Sequence, residues 1–565
     1  MRSNMLTLHD PMLAREYYAR GVWQNDTLYT LARKHADARP TSYALRDSRE
    51  RLTWRELTRW ADAVATDLHD AGVRMGDRVA GWLPNRVECV VLMLACSRNG
   101  YICTLSLHQN HTVDEVLSLL DRCSVSAFVG QPGYGADADV KDVFEHVGSI
   151  ASIRRVYAFP HRDGTPTDHL EHLRAFPRGE PTGPQQPVND NPDKVTYLAF
   201  TSGTTGQPKA VMHSDNTLLA NGRAMVADWG HTHDLIMYCL GPLSHHLATV
   251  GLEQCLACGC EFVVNDLRKG EHPLDRIIAS EARYLMGVPT HAIDILRELD
   301  ARGLDRLGDV SVFYLSGTAI PAELARRLAA RGIKPQNTYG MTENGSHTST
   351  IPTDDIDTLI RTVGQTVGRG NACYELRIFR ADDRDVEAEP GEIGEIGGRG
   401  ASLMLGYFNN TAATQASFNA GGWFMSGDLG RFNERGDLEI AGRSKDLIIR
   451  GGHNIYPAEI EGLALRHERV VKAAAFPVDD ERLGEKVCLG IIASDGVPVD
   501  AYDILAHLFN AGLSKYDMPE YFICIDDFPL TASGKILKRE LSAQVRGGRL
   551  VPQPVRWNGI REVSA

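Results

Sequence analysis

The sequence predicts an α/β protein with a large N-terminal domain and a small α+β C-terminal domain. The N-terminal domain is expected to contain two parallel-sheet α/β subdomains plus a β-rich subdomain. Three observations support this prediction. The chain has 565 residues, which is more than one hydrophobic core organises. Strand-like and helix-like segments alternate through its first half, and glycine-rich short strands and a differently patterned tail follow.

The first α/β region is predicted from its apolar periodicity. Apolar residues recur at three- and four-residue spacing from Trp54 to Ala71, and Gly72 ends this helix. A strand, a helix and two further strands then follow in the ranges 77–83, 88–99, 101–107 and 124–129. A polar, Pro- and Gly-rich stretch separates this region from a second α/β run, which begins with a strand at 195–200 and extends to about residue 320.

The rest of the chain predicts two smaller parts. Short strands with frequent glycines indicate a β-rich subdomain over about 364–442. After Arg443 the pattern changes to strands at 470–477 and 486–493, with helices near 457–467 and 500–512. We therefore place the N-terminal domain at 1–443 and the C-terminal domain at 446–565.

The composition excludes several classes of function. The net charge is -13, from 73 acidic and 60 basic residues, whereas nucleic-acid and anionic-membrane surfaces need a basic footprint. The longest apolar run has eight residues, Cys89 to Cys96, and a membrane span needs ~20. The N-terminus lacks the apolar stretch of a secretory signal, so a cytoplasmic protein without stable membrane insertion is expected.

Eleven cysteines are spread thinly over the chain, as in proteins of a reduced compartment. Three of them, Cys255, Cys258 and Cys260, are close enough in sequence to raise a metal site as an alternative. The surrounding pattern instead indicates a helix end, a glycine stop and a strand, and no cysteine or histidine pair lies nearby at zinc-like spacing. Buried, inert cysteines are the favoured interpretation.

A phosphate-binding loop is the first functional candidate. The segment Thr201-Ser-Gly-Thr-Thr-Gly-Gln-Pro-Lys209 runs from an apolar strand into hydroxyls, glycines and a lysine. Glycines let backbone N–H groups turn towards a phosphate, while hydroxyls add donors and the lysine adds a positive charge. The segment does not match the Walker pattern, and taken alone it is equally typical of a flexible surface loop.

The segment closely resembles the phosphate-binding signature of the adenylate-forming superfamily, which comprises acyl-CoA synthetases, luciferases and the adenylation domains of peptide synthetases. Further motifs of that family follow in the family's order and together span nearly the whole chain, which is most like a free-standing acyl-CoA ligase. They are Tyr339-Gly-Met-Thr-Glu343, Gly391 to Gly398 with Gly406-Tyr407, Trp423-Phe-Met-Ser-Gly-Asp428, Gly442 to Glu461, and Pro529-Leu-Thr-Ala-Ser-Gly-Lys535.

The resemblance implies roles for individual residues, each of which, taken alone, is more typical of a structural position. The catalytic residues would be Lys535, Thr204, Glu343 and Lys209, and Glu343 would also bind Mg²⁺. Tyr339 would flank the adenine, Asp428 would contact the ribose, and Arg443 would contact the ribose or a phosphate. The nucleotide and coenzyme would further contact Thr201, Ser202, Gly203, Thr205, Gly206, Gly317, Thr318, Gly340, Met341, Thr342, Gly451 and Gly452.

The resemblance also implies a reaction and a moving domain. The enzyme would be an AMP-forming acid–thiol ligase that uses ATP, Mg²⁺ and coenzyme A. The small C-terminal domain would be mobile and would alternate between two half-reactions about a hinge at Lys445. In one arrangement Lys535 faces the adenylate. In the other, the stretch at Gly451 and Gly452 does, leaving room for a pantetheine arm.

The acid and the acceptor are less specified. His245 and Thr338 would line an acyl pocket, and an apolar, cyclic or aryl monocarboxylic acid is expected. Alternatives are an enzyme that mainly forms the thioester from preformed acyl-AMP, a stand-alone enzyme that loads a carrier protein, and a nucleotide-binding regulatory protein. A homodimer is left open. Two departures from the family bear on these alternatives: Ala210 replaces the usual glycine, and Leu105 to His111 replaces a proline-containing stretch.

Overall fold

The computed structural model describes residues 6–160, 170, 173–201, 208–267, 270–318, 320–364, 366–494, 496–530 and 536–558. They form two compact units. Unit 1 comprises 1–363, 368–375 and 399–416, and unit 2 comprises 364–367, 376–398 and 417–565. Most of the β-rich region is therefore grouped with the end of the chain, whereas the sequence-based division placed all of it in the N-terminal domain. The division at Arg443 and Lys445 stays a prediction.

Unit 1 is built from two sheets and their crossover helices. Its elements in chain order are α1 (Pro11–Ala19), α2 (Leu28–Ala38), β1 (Tyr43–Arg46), β2 (Arg51–Thr53), α3 (Trp54–Asp70), β3 (Arg78–Trp82), α4 (Val87–Asn99), β4 (Ile102–Thr104), α5 (Val113–Arg122), β5 (Val125–Gly130), α6 (Phe144–Val147), β6 (Arg155–Ala158), β7 (Val195–Thr201), β8 (Lys209–Ser214), α7 (Asp215–Trp229), β9 (Ile236–Cys239), α8 (His246–Cys258), β10 (Glu261–Val264), α9 (Leu274–Ser280), β11 (Tyr284–Gly287), α10 (Pro289–Ala301), β12 (Val312–Leu315), α11 (Ala322–Ala329), β13 (Lys334–Met341), β14 (Gly345–Ser349), α12 (Ile356–Thr362), β15 (Arg369–Gly370) and α13 (Thr411–Ala416).

One sheet has the order β6-β5-β3-β4-β7-β8 and is parallel except for the final β7–β8 pair. The other has the order β15-β14-β13-β12-β11-β9-β10-β1-β2, with a parallel centre and antiparallel edges. Each sheet carries its own apolar core. The prediction of parallel-sheet α/β architecture is confirmed.

Unit 2 is richer in antiparallel strands. Its elements are β16 (Tyr374–Phe379), β17 (Gly394–Gly400), β18 (Phe424–Phe432), β19 (Leu438–Arg443), β20 (Ile448–Arg450), β21 (His453–Ile455), α14 (Pro457–Ala464), β22 (Val470–Asp480), β23 (Gly484–Ala493), α15 (Ala501–Asn510), β24 (Tyr521–Cys524), α16 (Lys538–Arg546) and β25 (Gln553–Pro554). Strands β16 to β19 form one sheet in sequence order. Strands β20 to β25 form a second sheet, whose longest pair is β22–β23.

Local sequence signals account for most helix ends. The Thr53 hydroxyl oxygen accepts a hydrogen bond from the Glu56 N–H, and the Glu56 carboxylate accepts one from the Thr53 N–H, which closes a capping box at the start of α3. Helix α8 ends at Gly259, which adopts the left-handed conformation with φ of 77° before β10 begins. The predicted helix end, glycine stop and strand around the three cysteines are thus confirmed. Strand β4 is shorter than predicted and ends at Thr104.

Most of the cysteines are buried. Nine of the eleven are buried, and only Cys258 and Cys524 are partly exposed. The Sγ atoms of Cys255 and Cys260 lie 3.1 Å apart within the core. Across the described ranges, no helix is both long and apolar enough to cross a membrane.

Candidate active site

The phosphate-loop candidate is the connection of a β-hairpin. Strands β7 and β8 pair antiparallel, and the last described pair before the connection is Thr201 opposite Lys209, both half-buried. The predicted loop residues Ser202, Gly203, Thr204, Thr205 and Gly206 lie outside the described residues. The hairpin therefore fixes the two ends of the candidate loop.

Tyr407 connects two of the predicted catalytic residues. The Lys209 Nζ atom lies 4.5 Å from the centroid of the Tyr407 ring, which is a cation–π contact. The Tyr407 hydroxyl donates a 2.8 Å hydrogen bond to Glu343 Oε1. A cation and a carboxylate thus meet the ring and the hydroxyl of the same side chain. The sequence quoted Tyr407 only as part of a motif and assigned it no role.

Backbone pairing holds Tyr407 beside the hairpin. The Leu405 N–H donates to the Met212 carbonyl, and the Met212 N–H donates to Gly406, so this segment runs along β8. The Phe408 N–H donates to the carbonyl of Ala210. Position 210 is therefore a strand position, and its methyl group is buried in the core of this sheet.

The predicted adenine-side motif lies at the turn from β13 to β14. Thr338 is buried and donates its hydroxyl to the Leu315 carbonyl at 3.3 Å, whereas Tyr339 is half-buried. At Gly340 a Cβ atom would lie 1.8 Å from the Gly345 carbonyl oxygen, so only glycine fits there. The hairpin has a register irregularity between residues 339 and 340.

Met341 and Thr342 are fixed by hydrogen bonds. The Met341 N–H donates to Asn344 Oδ1 at 3.1 Å. His213 Nε2 donates to the Thr342 carbonyl at 2.7 Å. The predicted loop residues Gly317 and Thr318 follow β12 and are exposed, and Gly317 has a φ of 94°.

His213 is a residue that the sequence analysis missed. It is buried, and its ring stacks on that of His246 with centroids 5.3 Å apart. Burial lowers the pKa of His213 to about 4, and the pKa of His246 also lies well below its usual value, mainly because of burial. Both rings are therefore neutral at pH 7. A histidine in an otherwise apolar strand, four residues after Lys209, was the available signal.

His245 precedes α8 and is half-buried. Its ring lies 5.9 Å from that of His108, whose Nδ1 hydrogen-bonds Ser244 Oγ at 3.0 Å. Burial is the main cause that lowers the pKa of His108 to about 3, so this ring is neutral. The loop that departs from the family pattern, 105–111, thus lies beside the predicted pocket residue. The Ser106 hydroxyl donates to the Phe200 carbonyl, one residue before Thr201.

In unit 2 the two predicted ribose residues form an ion pair. Asp428 and Arg443 are opposite each other on β18 and β19, and Arg443 Nε lies 3.0 Å from Asp428 Oδ1. The Asp428 side chain is buried, whereas that of Arg443 is 46% exposed. The strand pairing brings together two residues that are 15 positions apart in the sequence.

The remaining predicted residues of unit 2 lie after this pair. Lys445 is in a short 3₁₀ turn and is exposed. Gly451 and Gly452 form the two-residue turn of the β20–β21 hairpin, with φ of 58° and 87°. A Cβ at Gly452 would meet no atom within 4 Å. Lys535 lies outside the described residues.

Comparison with known proteins identifies the family. Residues 32–408 match the model of the AMP-binding enzymes, and residues 459–535 match the C-terminal domain of these enzymes. The chain is 28% identical to the medium-chain fatty-acid–CoA ligase of Escherichia coli, over 92% of this chain and 91% of the relative.

Comparison with solved structures gives the same family. The o-succinylbenzoate CoA synthetase of Bacillus subtilis, in complex with its acyl-adenylate, superimposes with a TM-score of 0.76 at 26% identity, covering 90% of this chain and 97% of that one. ATP-bound MatB of Rhodopseudomonas palustris superimposes with a TM-score of 0.78 at 26% identity, covering 92% of this chain and 99% of that one. The predicted class of AMP-forming acid–thiol ligases is thereby confirmed. This chain belongs to the AMP-binding enzyme family.

Proposed function

We propose that this enzyme joins an apolar monocarboxylic acid to coenzyme A through an acyl-adenylate. First, a carboxylate oxygen of the acid attacks the α-phosphorus of ATP, and pyrophosphate leaves. The thiol of coenzyme A then attacks the acyl carbon, the C–S bond forms, and AMP leaves. The observation that carries this proposal is the meeting of Lys209 and Glu343 on Tyr407, at the base of the β7–β8 hairpin.

These residues suit a nucleoside triphosphate. Lys209 is the first residue of β8, opposite Thr201, so its ammonium group adds positive charge at the base of the hairpin. Within the described residues, no group of three or more His, Cys, Asp or Glu side chains would hold a metal ion by itself. Mg²⁺ usually binds to one or two carboxylates together with substrate phosphates, which fits Glu343 as the single protein carboxylate. When bound, the ion would neutralise charge on the phosphates.

In unit 2, we assign the ribose to Asp428 and Arg443. The buried Asp428 carboxylate is oriented by Arg443 and is able to accept hydrogen bonds from both ribose hydroxyls. The open space at Gly452 suits the passage of a pantetheine arm. Lys535 and Thr204 are proposed as the groups that stabilise charge on the reacting carboxylate and phosphates.

The charge around His245 supports an acid with one carboxylate. His108 is neutral at pH 7, so it gives hydrogen bonds but no positive charge to pair with a second carboxylate. The E. coli relative is named for medium-chain fatty acids, and the Bacillus neighbour for o-succinylbenzoate, which contains an aryl ring together with a second carboxylate. We therefore propose a medium-sized acid whose body, either aliphatic or aryl, is apolar.

Ala210 supports a complete two-step enzyme. Its methyl group lies in the core of the sheet, and its carbonyl accepts the hydrogen bond that aligns Phe408 beside β8. A strand residue of this kind does not need the conformational freedom of glycine. The replacement of the family's glycine therefore leaves the contacts of Lys209 and Glu343 with Tyr407 in place, which favours retention of the adenylation step.

Pyrophosphate exchange into ATP tests the adenylation step directly. The purified protein is given ATP, Mg²⁺ and in turn octanoate, decanoate, benzoate and salicylate, and coenzyme A is added afterwards. We expect exchange with at least one acid, and conversion to the thioester on addition of coenzyme A. Glu343→Gln should slow exchange roughly 10²-fold, because a preorganised charge at the phosphates is lost. Glu323→Gln, an exposed carboxylate of the same unit, is the matched control.

Two results would contradict the proposal. No exchange with any acid, together with thioester formation from supplied acyl-AMP, would show an enzyme of the thioester step alone. Acyl transfer to a phosphopantetheinylated carrier protein but not to coenzyme A would show a loading enzyme.

A further inference from the structure

The turn at Gly451 and Gly452 is followed directly by a histidine. His453 is the first residue of β21 and is paired across the turn with Arg450. We propose that His453, oriented by Asp517, is the base that accepts the thiol proton of coenzyme A in the second half-reaction. This inference rests on the proposed function, since it assigns a residue to the thiol step of that reaction.

The contact between the two side chains fixes which ring nitrogen carries hydrogen. His453 Nε2 lies 2.8 Å from Asp517 Oδ1. An ionised carboxylate only accepts hydrogen bonds, so Nε2 is the donor, and in the neutral ring Nδ1 then carries the lone pair. The His453 side chain is 51% exposed, and Nδ1 makes no hydrogen bond among the residues that the structure describes. A histidine held by a carboxylate, with its other nitrogen open, is the arrangement of a general base.

The groups around this pair keep it in place. The Tyr516 ring meets the His453 ring edge-on at 6.4 Å and is itself 73% exposed. Arg450 Nη1 forms a 2.6 Å ion pair with Glu520. Arg450 Nη2 donates a hydrogen bond to the carbonyl of Tyr516. These two contacts hold the segment that contains Tyr516 and Glu520 against β20. These contacts position Asp517 against the residue that follows the turn.

One further charged group faces Asp517 from another element. Glu459 lies on α14, and its pKa is raised above the usual value, first by burial and then by the negative charge of Asp517. Asp517, Arg450 and Tyr516 thus flank His453, and Glu459 faces Asp517.

The chemical step balances without another reactant. The S–H bond of coenzyme A breaks as its proton passes to His453 Nδ1, and the sulfur attacks the acyl carbon. The C–S bond forms, the bond from that carbon to the AMP oxygen breaks, and AMP leaves with its electron pair. A free thiol has a pKa of about 8.5, so at pH 7 only a few per cent is thiolate and a base accelerates the attack.

His453→Gln tests the inference when the two half-reactions are measured separately. Octanoyl-AMP and salicyloyl-AMP are supplied with coenzyme A, and thioester formation is followed from pH 6.5 to 9. Pyrophosphate exchange is measured on the same preparation. We expect the thioester step to slow roughly 10²-fold at pH 7, the size typical of a lost general base, while exchange is unchanged. Asp517→Asn should give a smaller loss, because it only disturbs the orientation of the ring.

The pH profile separates a base from a structural residue. With His453→Gln, the rate should rise with pH as the thiol ionises unaided, so its difference from wild type should shrink towards pH 9. His467→Gln, another histidine of unit 2, should match the wild type at every pH. A loss that is equal at all pH values, a loss shared by pyrophosphate exchange, or a wild-type rate would each overturn the inference.

Failure of the proposed function has a different signature. In that case the wild-type protein itself would form no thioester from either acyl-AMP, and the inference would fall with it. A wild-type protein that forms thioester, beside a His453→Gln variant of equal rate, would overturn the inference alone.

Discussion

The candidate sites of the two units arrange their charges differently. At the site in unit 1, Lys209 contacts the ring of Tyr407, and Glu343 accepts a hydrogen bond from the hydroxyl of the same side chain. In unit 2, carboxylates contact their partners directly, as in the 3.0 Å pair of Asp428 with Arg443. Separated charges act on phosphates and metal ions without first neutralising each other, whereas paired charges orient a side chain. The first arrangement suits binding of a triphosphate, and the second suits precise placement.

The largest effect is expected on the free energy of unfolding, when the buried His213 of unit 1 gains a proton at low pH. The pKa of His213 is lowered to about 4 in the folded protein from an ordinary value of 6.5. Between these values the unfolded chain binds more protons, so stability is lost as the pH falls from about 6.5 to 4. The difference between these two pKa values corresponds to a loss of about 3 kcal/mol in the free energy of unfolding.

His213→Gln should remove this contribution, because glutamine does not titrate. Urea unfolding at pH 7, 6, 5 and 4.5 should show a shallower decline of the free energy of unfolding than in the wild type. His233→Gln, a half-exposed histidine of the same unit, should leave the decline unchanged. An equally steep decline in His213→Gln and the wild type would contradict the assignment of a neutral His213.

Substitutions of Tyr407 provide the next test, because this side chain contacts both Lys209 and Glu343. Tyr407→Phe keeps the ring beside Lys209 and removes the hydrogen bond to Glu343. A hydrogen bond to a charged group contributes about 1.5–3 kcal/mol, so pyrophosphate exchange should slow roughly 10-fold or more. Tyr407→Leu also removes the ring and should slow it further.

A second cation–π pair of unit 1 supplies the control for this test. Arg51 lies 3.8 Å from the ring centroid of Tyr43, which is exposed at the surface. Tyr43→Phe should leave exchange unchanged. Wild-type exchange in Tyr407→Phe would show that the hydroxyl does not position Glu343.

The smallest effect is expected for the pair in unit 2. Arg443→Met removes a half-exposed partner, so the free energy of unfolding should change by less than about 1 kcal/mol. The KM for ATP should rise roughly fivefold, since Asp428 loses the group that orients it. Arg431→Met removes a similar ion pair, with Glu439, on the same two strands and should leave the KM unchanged. An equal KM in both variants would contradict the ribose assignment.

Local patterns in the sequence predicted the elements well. The helix expected from Trp54 was confirmed as α3, because its apolar spacing and its capping box are both encoded within a few residues. The ordered motifs predicted the family, which the comparisons confirmed. The roles of the individual residues stay predictions, including those of Thr204 and Lys535, which lie outside the described residues.

Contacts between distant residues were not predictable in the same way. Tyr407 reaches Glu343 across 64 positions, and no periodicity relates the two. His213 was missed because its importance lies in the carbonyl it holds, at Thr342 in another hairpin. The grouping of the β-rich region with unit 2 also depends on packing rather than on local pattern.

The burial of the cysteines has a practical consequence at the bench. Consumption of coenzyme A is readily followed with a dye that reacts with thiols. Nine of the eleven cysteines are buried and only Cys258 and Cys524 are partly exposed, so the folded enzyme should contribute little background to such a measurement. The same dye would report unfolding, because denaturation exposes all eleven thiols at once.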